Sequence, residues 1–424
     1  MKEDFLHYIW KYKKFNTLNL KTNTEETVEV LSVGDHNHNS GPDFFNAKVR
    51  IADQLWAGNV EIHLRSSDWY SHKHQKDTSY DNVILHVVWE HDAEVFRKNN
   101  ERIPVLELRE VIDKGTLDNY HMLFANMQRW IPCENDLSVV DDFVWDHWLE
   151  RLYIERLEQK SQPILQLLES SNNDWEAVLF KMMAKSFGLK VNGEAFFAMS
   201  RSFDFSLLRR LQQDLSQLEA LLLGQAGLLE NSVEDAYFQR LKKDYEYLVR
   251  KFHLANATVP VPQFFRLRPN NFPTIRLAQL ANLYHTKKGI FSTLMRLESR
   301  KEFYDELRTG VSEYWERHYG FGIQSKKRAR SLSKDFIDLL LLNTIIPIKF
   351  CYMQQQGKSD VDGILKLAQD IKPEDNAIVR KFNSLTKVTE SAVETQALLQ
   401  LKSFYCEKHQ CLRCAIGNEL LGRN

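Results

Sequence analysis

Asn82 to Trp89 constrains the fold more than any other stretch of the chain. It is an almost unbroken apolar run, with Val83, Ile84, Leu85, Val87 and Val88. A strand with one wet face alternates apolar and polar residues, whereas a strand covered on both faces reads as a continuous run. This segment therefore predicts a central strand. Such a strand needs neighbours for its N–H and C=O groups and a layer packed on its faces. The preceding chain supplies both. Residues 5–15, beginning Phe5-Leu6-His7-Tyr8-Ile9-Trp10, read as a short amphipathic helix. Thr27 to Val33 alternates like a strand, and Gly34 to Pro42 is a polar, turn-rich loop. A second strand carries Ala47, Val49 and Ile51 on one face. Gln54 to Gly58 reads as a turn and Asn59 to Leu64 as a third strand. Ser66-Ser67-Asp68 offers an N-cap for a helix from Trp69 to Lys76. Val105 to Leu108 reads as one more short strand. The order helix, strand, strand, strand, helix, strand fits a small α/β sandwich over residues 1–115.

Beyond about residue 115, leucine at helical spacing takes over. Phe143 to Leu168 reads as one or two helices, and Trp175 to Phe187 as another ending at Gly188. Leu207 to Leu222 reads as an amphipathic helix closed by Gly224, and Asp235 to Leu254 continues the series. No repeat period stands out. The fold class is thus α+β, with the sandwich followed by a large all-α region over residues 116–424. The formal net charge is only −1. Affinity for nucleic acid must then come from a local patch, not a global field. No segment approaches the ~20 apolar residues of a membrane span. The most apolar stretch, Phe336 to Phe350, is broken by Asp338, Asn343 and Pro347 and reads as a buried helix end. Met1 to Asp4 is polar with no apolar segment behind it, so no secretory signal is expected. The five cysteines do not form a disulfide pattern. The expectation is a soluble cytoplasmic protein with no membrane partner.

Half of the fourteen histidines fall between His36 and His91, among strand-forming residues and acids. Asp43 follows Gly41-Pro42 at the start of one strand, and Glu61 lies on the next. His63 shares the Glu61 face, because side-chain direction repeats every second residue. Hard oxygen ligands on adjacent strands suit Mg²⁺ or Mn²⁺. Such an ion activates water and neutralises charge on the departing oxygen in phosphodiester cleavage. The candidate metal ligands are Asp43, Glu61 and the Ile62 carbonyl, with His63 beside the attacking water. His72, Asp68 and His86 are expected to support them, with Asp77 and Tyr80 behind. His72 and His74 are two apart on the expected helix, so at most one points inward, and His72 is the choice. Taken singly, each residue has an ordinary alternative. Asp43 can cap a turn, Glu61 can face outward, and His63 and His86 can be satisfied sheet residues. The clustering is what favours a site.

Pro42-Asp43 followed by Glu61-Ile62-His63 resembles the PD-(D/E)XK nuclease pattern, and the element order is similar to that superfamily's core. The resemblance implies a nuclease-like sandwich and divalent-metal-dependent cleavage of DNA or RNA. It also implies an acid from the N-terminal helix, for which Glu3 is the candidate. The sequence departs at His63, where the pattern has lysine, and imidazole is not permanently charged at neutral pH. The alternative is therefore a scaffold that binds nucleic acid or protein without chemistry. A small-molecule metallohydrolase is less favoured, since no HExxH spacing is present. Over nearly its full length the chain also resembles the bacterial family called domain of unknown function 2851. That similarity rests on Phe5 to Trp10, Gly41 to Phe44, Val60 to His63 with Ser66 to Trp69, and Asn82 to Val88. It continues through Arg268-Pro269, Asn271 to Pro273, Arg276 to Leu280 and Cys411 to Gly417. It implies membership and no activity.

Two further features carry chemistry. Cys406, Cys411 and Cys414 are spaced so that their thiolates can converge on Zn²⁺ or an Fe–S cluster. The fourth ligand would be His409, Cys351 or Cys133, and the role a structural clip more than a redox one. Lys326, Lys327, Arg328 and Arg330 form the densest positive run and can contact phosphates. Arg268 and Arg276 flank a proline-ringed loop, where guanidinium can grip phosphate bidentately. The ordinary readings are a solvated helix face and a helix joint.

Overall fold

The structure, a computed structural model, describes residues 1–423 apart from 126–127, 359–360 and 387–388. The chain divides into two compact units. The first takes Met1–Trp148, Lys381–Lys387 and Leu399–Asn424, and the second Leu149–Arg380 and Val388–Leu398. The α+β reading holds: a mixed sheet near the N-terminus is followed by helices. The expected boundary near residue 115 falls inside the first unit, which also takes the C-terminal cysteines.

The first unit opens with α1 (Glu3–Lys11), which buries Phe5, Leu6, Tyr8, Ile9 and Trp10. Its strands are β1 (Leu20–Lys21), β2 (Thr27–Ser32), β3 (Asp35–His36), β4 (Phe44–Ile51), β5 (Gln54–Arg65), β6 (Val83–Glu90) and β7 (Val105–Glu107). They form one sheet in the order β1-β2-β4-β5-β6-β7, with β3 pairing to β4. The pairs from β1 to β5 are antiparallel, whereas β5, β6 and β7 run parallel. The short helix α2 (Asp68–Ser71) and two 3₁₀ turns make the crossover from β5 to β6. The burial pattern follows this topology. In β4, Ala47, Val49 and Ile51 are buried between exposed Lys48 and Arg50, while the first six residues of β6 are all buried.

Two expectations in this unit fail for local reasons. The turn after β4 is Ala52-Asp53, with Ala52 at φ +50°, and Ile51 pairs with Gln54. Gln54 to Gly58 is therefore strand, not turn. Its Leu55 and Trp56 are exposed, so it lacks the alternation that marks a half-buried strand. Gly58 serves close packing. A Cβ there would lie 2.5 Å from Ile84 Cγ2 and 2.7 Å from the Asn82 carbonyl oxygen. It lets β5 approach β6 where their parallel pairing begins at Asn59 and Val83. The second failure is the helix expected to reach Lys76. It stops after four residues, because Lys73 turns into the left-handed region at φ +64° and a 3₁₀ turn, His74–Lys76, follows.

Helix α3 (Lys114–Phe124) belongs to the first unit, and the long helix α4 (Asp142–Ser170) begins there. The second unit continues with α5 (Trp175–Phe187), α6 (Leu189–Arg201), α7 (Phe205–Leu211), α8 (Leu215–Gln225), α9 (Ala236–Phe252) and α10 (Pro273–Thr286). Asp174, Asp204, Asp214 and Asp235 cap α5, α7, α8 and α9 by accepting backbone N–H groups. Asp214 explains why the leucine-rich stretch expected as one helix is two. The stretch Lys334–Gln355 is helical with a π turn at Leu341–Ile345. Its 22 residues are long and apolar enough, by length and composition alone, to cross a membrane, yet 72% of its most apolar window is buried. Phe336 to Phe350 is thus the middle of a core helix, not an end.

Candidate metal centre

Glu61 on β5 pairs with His86 on β6, and His63 follows two residues later on the same sheet face. Helix α1 packs on β5 and brings Glu3 and His7, one turn apart, toward the same point. Asp43 stands immediately before β4. Its backbone N–H donates to Glu61 Oε2 at 3.1 Å, and its Oδ2 accepts the Ile62 N–H at 2.9 Å. His7 Nε2 lies 3.3 Å from the same Oδ2. Asp43, Glu61 and His63 therefore converge. Ile62 enters the site through its N–H.

The histidines form a connected set. His63 Nδ1 meets His86 Nε2 at 2.8 Å, and His63 Nε2 meets His72 Nδ1 at 3.0 Å. Glu61 Oε1 lies 3.2 Å from His74 Nε2 and 3.5 Å from His63 Nε2. One ligand nitrogen from each of His63, His72 and His74 lies within 4.8 Å of the other two. The expectation that only one of His72 and His74 points inward fails. Left-handed Lys73 ends the helix between them, so helical geometry no longer separates their directions. Tyr80 stacks on His74 at 3.8 Å between centroids, and Trp69 meets His74 and His86 edge-on or tilted. His72 is exposed and gives the cluster its opening to solvent, while the Glu61 and His63 side chains are 5% and 2% exposed. Asp68 turns its Oδ2 to the Arg65 N–H and fixes the end of β5. Asp77 caps the following 3₁₀ turn through Ser79.

Burial and neighbouring charge set the protonation of this cluster. Burial, and then the Asp43 charge, hold the Glu61 carboxyl far above its ordinary range. Burial and Asp43 also raise Glu3. Burial, reinforced by the other imidazoles, pushes His63 down to about 2 and His86 down to about 3. His74 is lowered mainly by burial. For His7, burial opposes protonation, but Asp43 and Glu3 outweigh it and the net shift is upward. Neutral imidazoles keep lone pairs for a cation. A carboxyl that is costly to ionise in isolation becomes favourable beside one.

The donor set fits a divalent ion. His74 Nε2 and His7 Nε2 are buried ring nitrogens that face carboxylate oxygens, Glu61 Oε1 at 3.2 Å and Asp43 Oδ2 at 3.3 Å. His63 can donate Nδ1–H to His86, which leaves Nε2 toward Glu61 and His72, the usual way a ligating histidine is oriented. Sequence reasoning expected an oxygen-rich centre and missed His7 and His74. The His7 signal was its i+4 spacing from Glu3. The His74 signal was hidden by the assumed helix.

The basic residues expected to bind nucleic acid are placed less uniformly. Arg276 is buried, bonds Asn271 Oδ1 at 2.6 Å and Gln279 Oε1 at 2.9 Å, and lies 3.6 Å over the Phe336 ring. Arg330 donates to the Trp315 carbonyl and to Ser325 Oγ, both at 2.6 Å. Lys327 pairs with Glu316 at 3.2 Å. Arg268, Lys326 and Arg328 are exposed. Cys406, Cys411 and Cys414 are buried in the first unit. Cys351 belongs to the second unit, beside Ser161.

A mixed sheet that gathers carboxylates and imidazoles on one face defines an α+β protein with a candidate divalent-metal centre. The chain matches the family described as Protein of unknown function (DUF2851) over residues 3–377, and it belongs to that family. No curated protein and no solved structure matches it.

Proposed function

We propose that the first unit is a metal-dependent phosphodiesterase of nuclease type, acting on DNA or RNA. The observation that carries this reading is the meeting of Glu61 with the His63, His72 and His74 nitrogens at a point open to solvent. Glu61, His63, His72 and His74 would hold the ion, with Asp43 as the second carboxylate. Imidazole-rich sets suit zinc, iron or nickel, while the carboxylates also suit Mn²⁺, so Mg²⁺ is the least favoured. A bound ion supplies Lewis acidity toward water and the phosphoryl oxygen. Asp43 fixes Glu61 through its own N–H and anchors β5 through the Ile62 N–H. His86 orients His63. His7, held beside Asp43, is placed to hand a proton to a leaving oxygen.

A phosphate-bearing substrate is also supported by the second unit. Lys190 and Arg201, with the already engaged Lys160 and Lys185, line a pocket of about 760 Å³ whose lining, among the described residues, includes no carboxylate. Glu61→Gln tests the proposal. Wild-type chain is assayed on single- and double-stranded DNA and RNA with Mn²⁺, Zn²⁺ and Mg²⁺. The expected result is cleavage that falls about a thousandfold in the variant, several kcal/mol of lost barrier lowering. Equal turnover in both proteins would remove Glu61 from the reaction. One observation favours the silent-scaffold reading: both ring nitrogens of His63 face other imidazoles, so it supplies no fixed positive charge. Metal binding without cleavage by wild type under any of the three ions would select that reading.

A further inference from the structure

Four of the five cysteines collect around one cavity whose lining includes no histidine among the described residues. Cys133 comes from the turn after Ile131-Pro132, Cys406 from the end of a π turn, Leu401–Cys406, and Cys411 from the start of a 3₁₀ turn. Cys414 precedes the short helix Ala415–Leu421. All four line one small cavity, walled by apolar residues that include Leu123, Ile131, Leu137, Phe382 and Leu401. Each is less than a tenth exposed, and none is disulfide-bonded. Four reduced thiols drawn to one cavity from two distant parts of the sequence are a poor packing solution, since an apolar side chain would fill the space without reactive sulfur.

Burial pushes the Cys414 thiol up. The backbone N–H groups of Ile416 and Gly417 and the Trp148 indole lie near its sulfur and oppose that rise only in part. The Trp148 indole nitrogen is buried without a hydrogen-bond partner. Polar N–H groups near a sulfur suit a metal-bound thiolate. Gly417 makes the turn possible, because a Cβ there would fall 2.1 Å from the Cys411 carbonyl oxygen.

We propose that Cys133, Cys406, Cys411 and Cys414 form a four-thiolate metal centre that clips the C-terminal segment of the first unit to the turn at Cys133. Cys133 is the fourth ligand, rather than His409 or Cys351. The shared chemistry is a set of four soft thiolates around one cavity, which suits one Zn²⁺ or an iron–sulfur cluster. This centre is independent of the phosphodiesterase reading.

The full chain is purified without oxygen, and its zinc, iron and acid-labile sulfide are measured. The expected result is stoichiometric zinc without sulfide, or iron with matching sulfide and visible thiolate-to-iron absorption. Either source supports the centre, and the sulfide arm tells them apart. Cys133→Ser and Cys414→Ser should each lose this metal, while Cys351→Ser keeps it. Should the first two variants fail to fold, wild type still decides. Stripping its metal should make residues 399–423 newly sensitive to limited proteolysis, and restoring Zn²⁺, or Fe²⁺ with sulfide, should reverse this. Wild type without thiolate-bound metal, or metal unaffected by Cys133→Ser in a folded variant, overturns the proposal.

Discussion

Glu61, His63 and His86 stand on two neighbouring strands of one sheet, whereas Cys133 and Cys414 come from the early and the final parts of the first unit's sequence. The sheet register alone decides where the first set points. Nothing local decides it for the second, which depends on how the chain returns after the whole helical region. The strand part of the histidine site, Glu61, His63 and His86, is therefore preformed by backbone pairing, and an ion there would bind to a largely existing arrangement. The cysteine site joins segments that lack such pairing, so its binding free energy is also ordering free energy.

Metal removal is the strongest way to break this comparison. Stripping the cysteine centre should lower the melting temperature substantially, since isolated structural thiolate sites contribute on the order of 10 kcal/mol at neutral pH. Removing the ion from the histidine centre should leave the sheet intact, seen as unchanged hydrogen-exchange protection in β5 and β6. Equal loss of protection in both regions would mean that the histidine site is not preformed. A smaller effect is expected from His86→Ala, which removes only the group that orients His63. Second-sphere partners of ligating histidines are worth about 10–100-fold in metal affinity. Isothermal titration with Mn²⁺ or Zn²⁺ measures it. No change would mean that His63 needs no partner.

The same contrast explains what the sequence could convey. The unbroken apolar run at Val83 to Val88 announced the central strand, and the alternation of Ala47, Val49 and Ile51 announced its neighbour. Asp43, Glu61 and His63 were legible because strand period and strand order bring them together. His74 was not, because a single left-handed residue, Lys73, redirects the chain, and lysine carries no signal for that conformation. Gly58 misled as a turn residue when its role is close approach to Ile84. Asp214 divides a leucine-periodic stretch by capping, a local signal that the apolar pattern outweighed. The pairing of Cys133 with the C-terminal cysteines had no periodicity to reveal it, and Cys351 and His409 were equal candidates until the fold separated them.

The second unit offers a further contrast with both metal-capable clusters. In its basic pocket Lys185 pairs with Glu194 at 2.8 Å, while Lys160 donates to the Leu342 carbonyl, Asn343 and Gln396. Lys190 and Arg201 are the cations most available to phosphate. Charge reversal at Arg201 (Arg201→Glu) should weaken binding of a short DNA or RNA several-fold. It should also lower the slope of log affinity against log salt by about 1, as expected for one lost phosphate contact. An unchanged slope would detach this pocket from the polyanion reading.

A pH-dependent effect isolates Glu61 itself. The ordinary carboxyl value is 4.5, and burial with Asp43 raises it in the folded chain. The native chain then holds a proton that the unfolded chain releases, so this contribution is complete below 4.5 and is lost as pH climbs toward the raised value. His63 and His86 act in the opposite sense. Their folded values are depressed below 6.5, so their contribution is present above 6.5 and lost as pH falls toward the depressed values. Comparing metal-free wild type with metal-free Glu61→Gln cancels the histidine contributions, because both proteins carry them. The stability difference, wild type minus variant, should decline from about pH 5 to pH 8 by at most about 1.4 kcal/mol per pH unit. Saturating Mn²⁺ should abolish the decline, because an ion at this point keeps Glu61 ionised in the native state. Denaturant titrations across this range read the difference directly. A decline that survives saturating metal would place the ion elsewhere and leave Glu61 as a buried acid serving only the sheet.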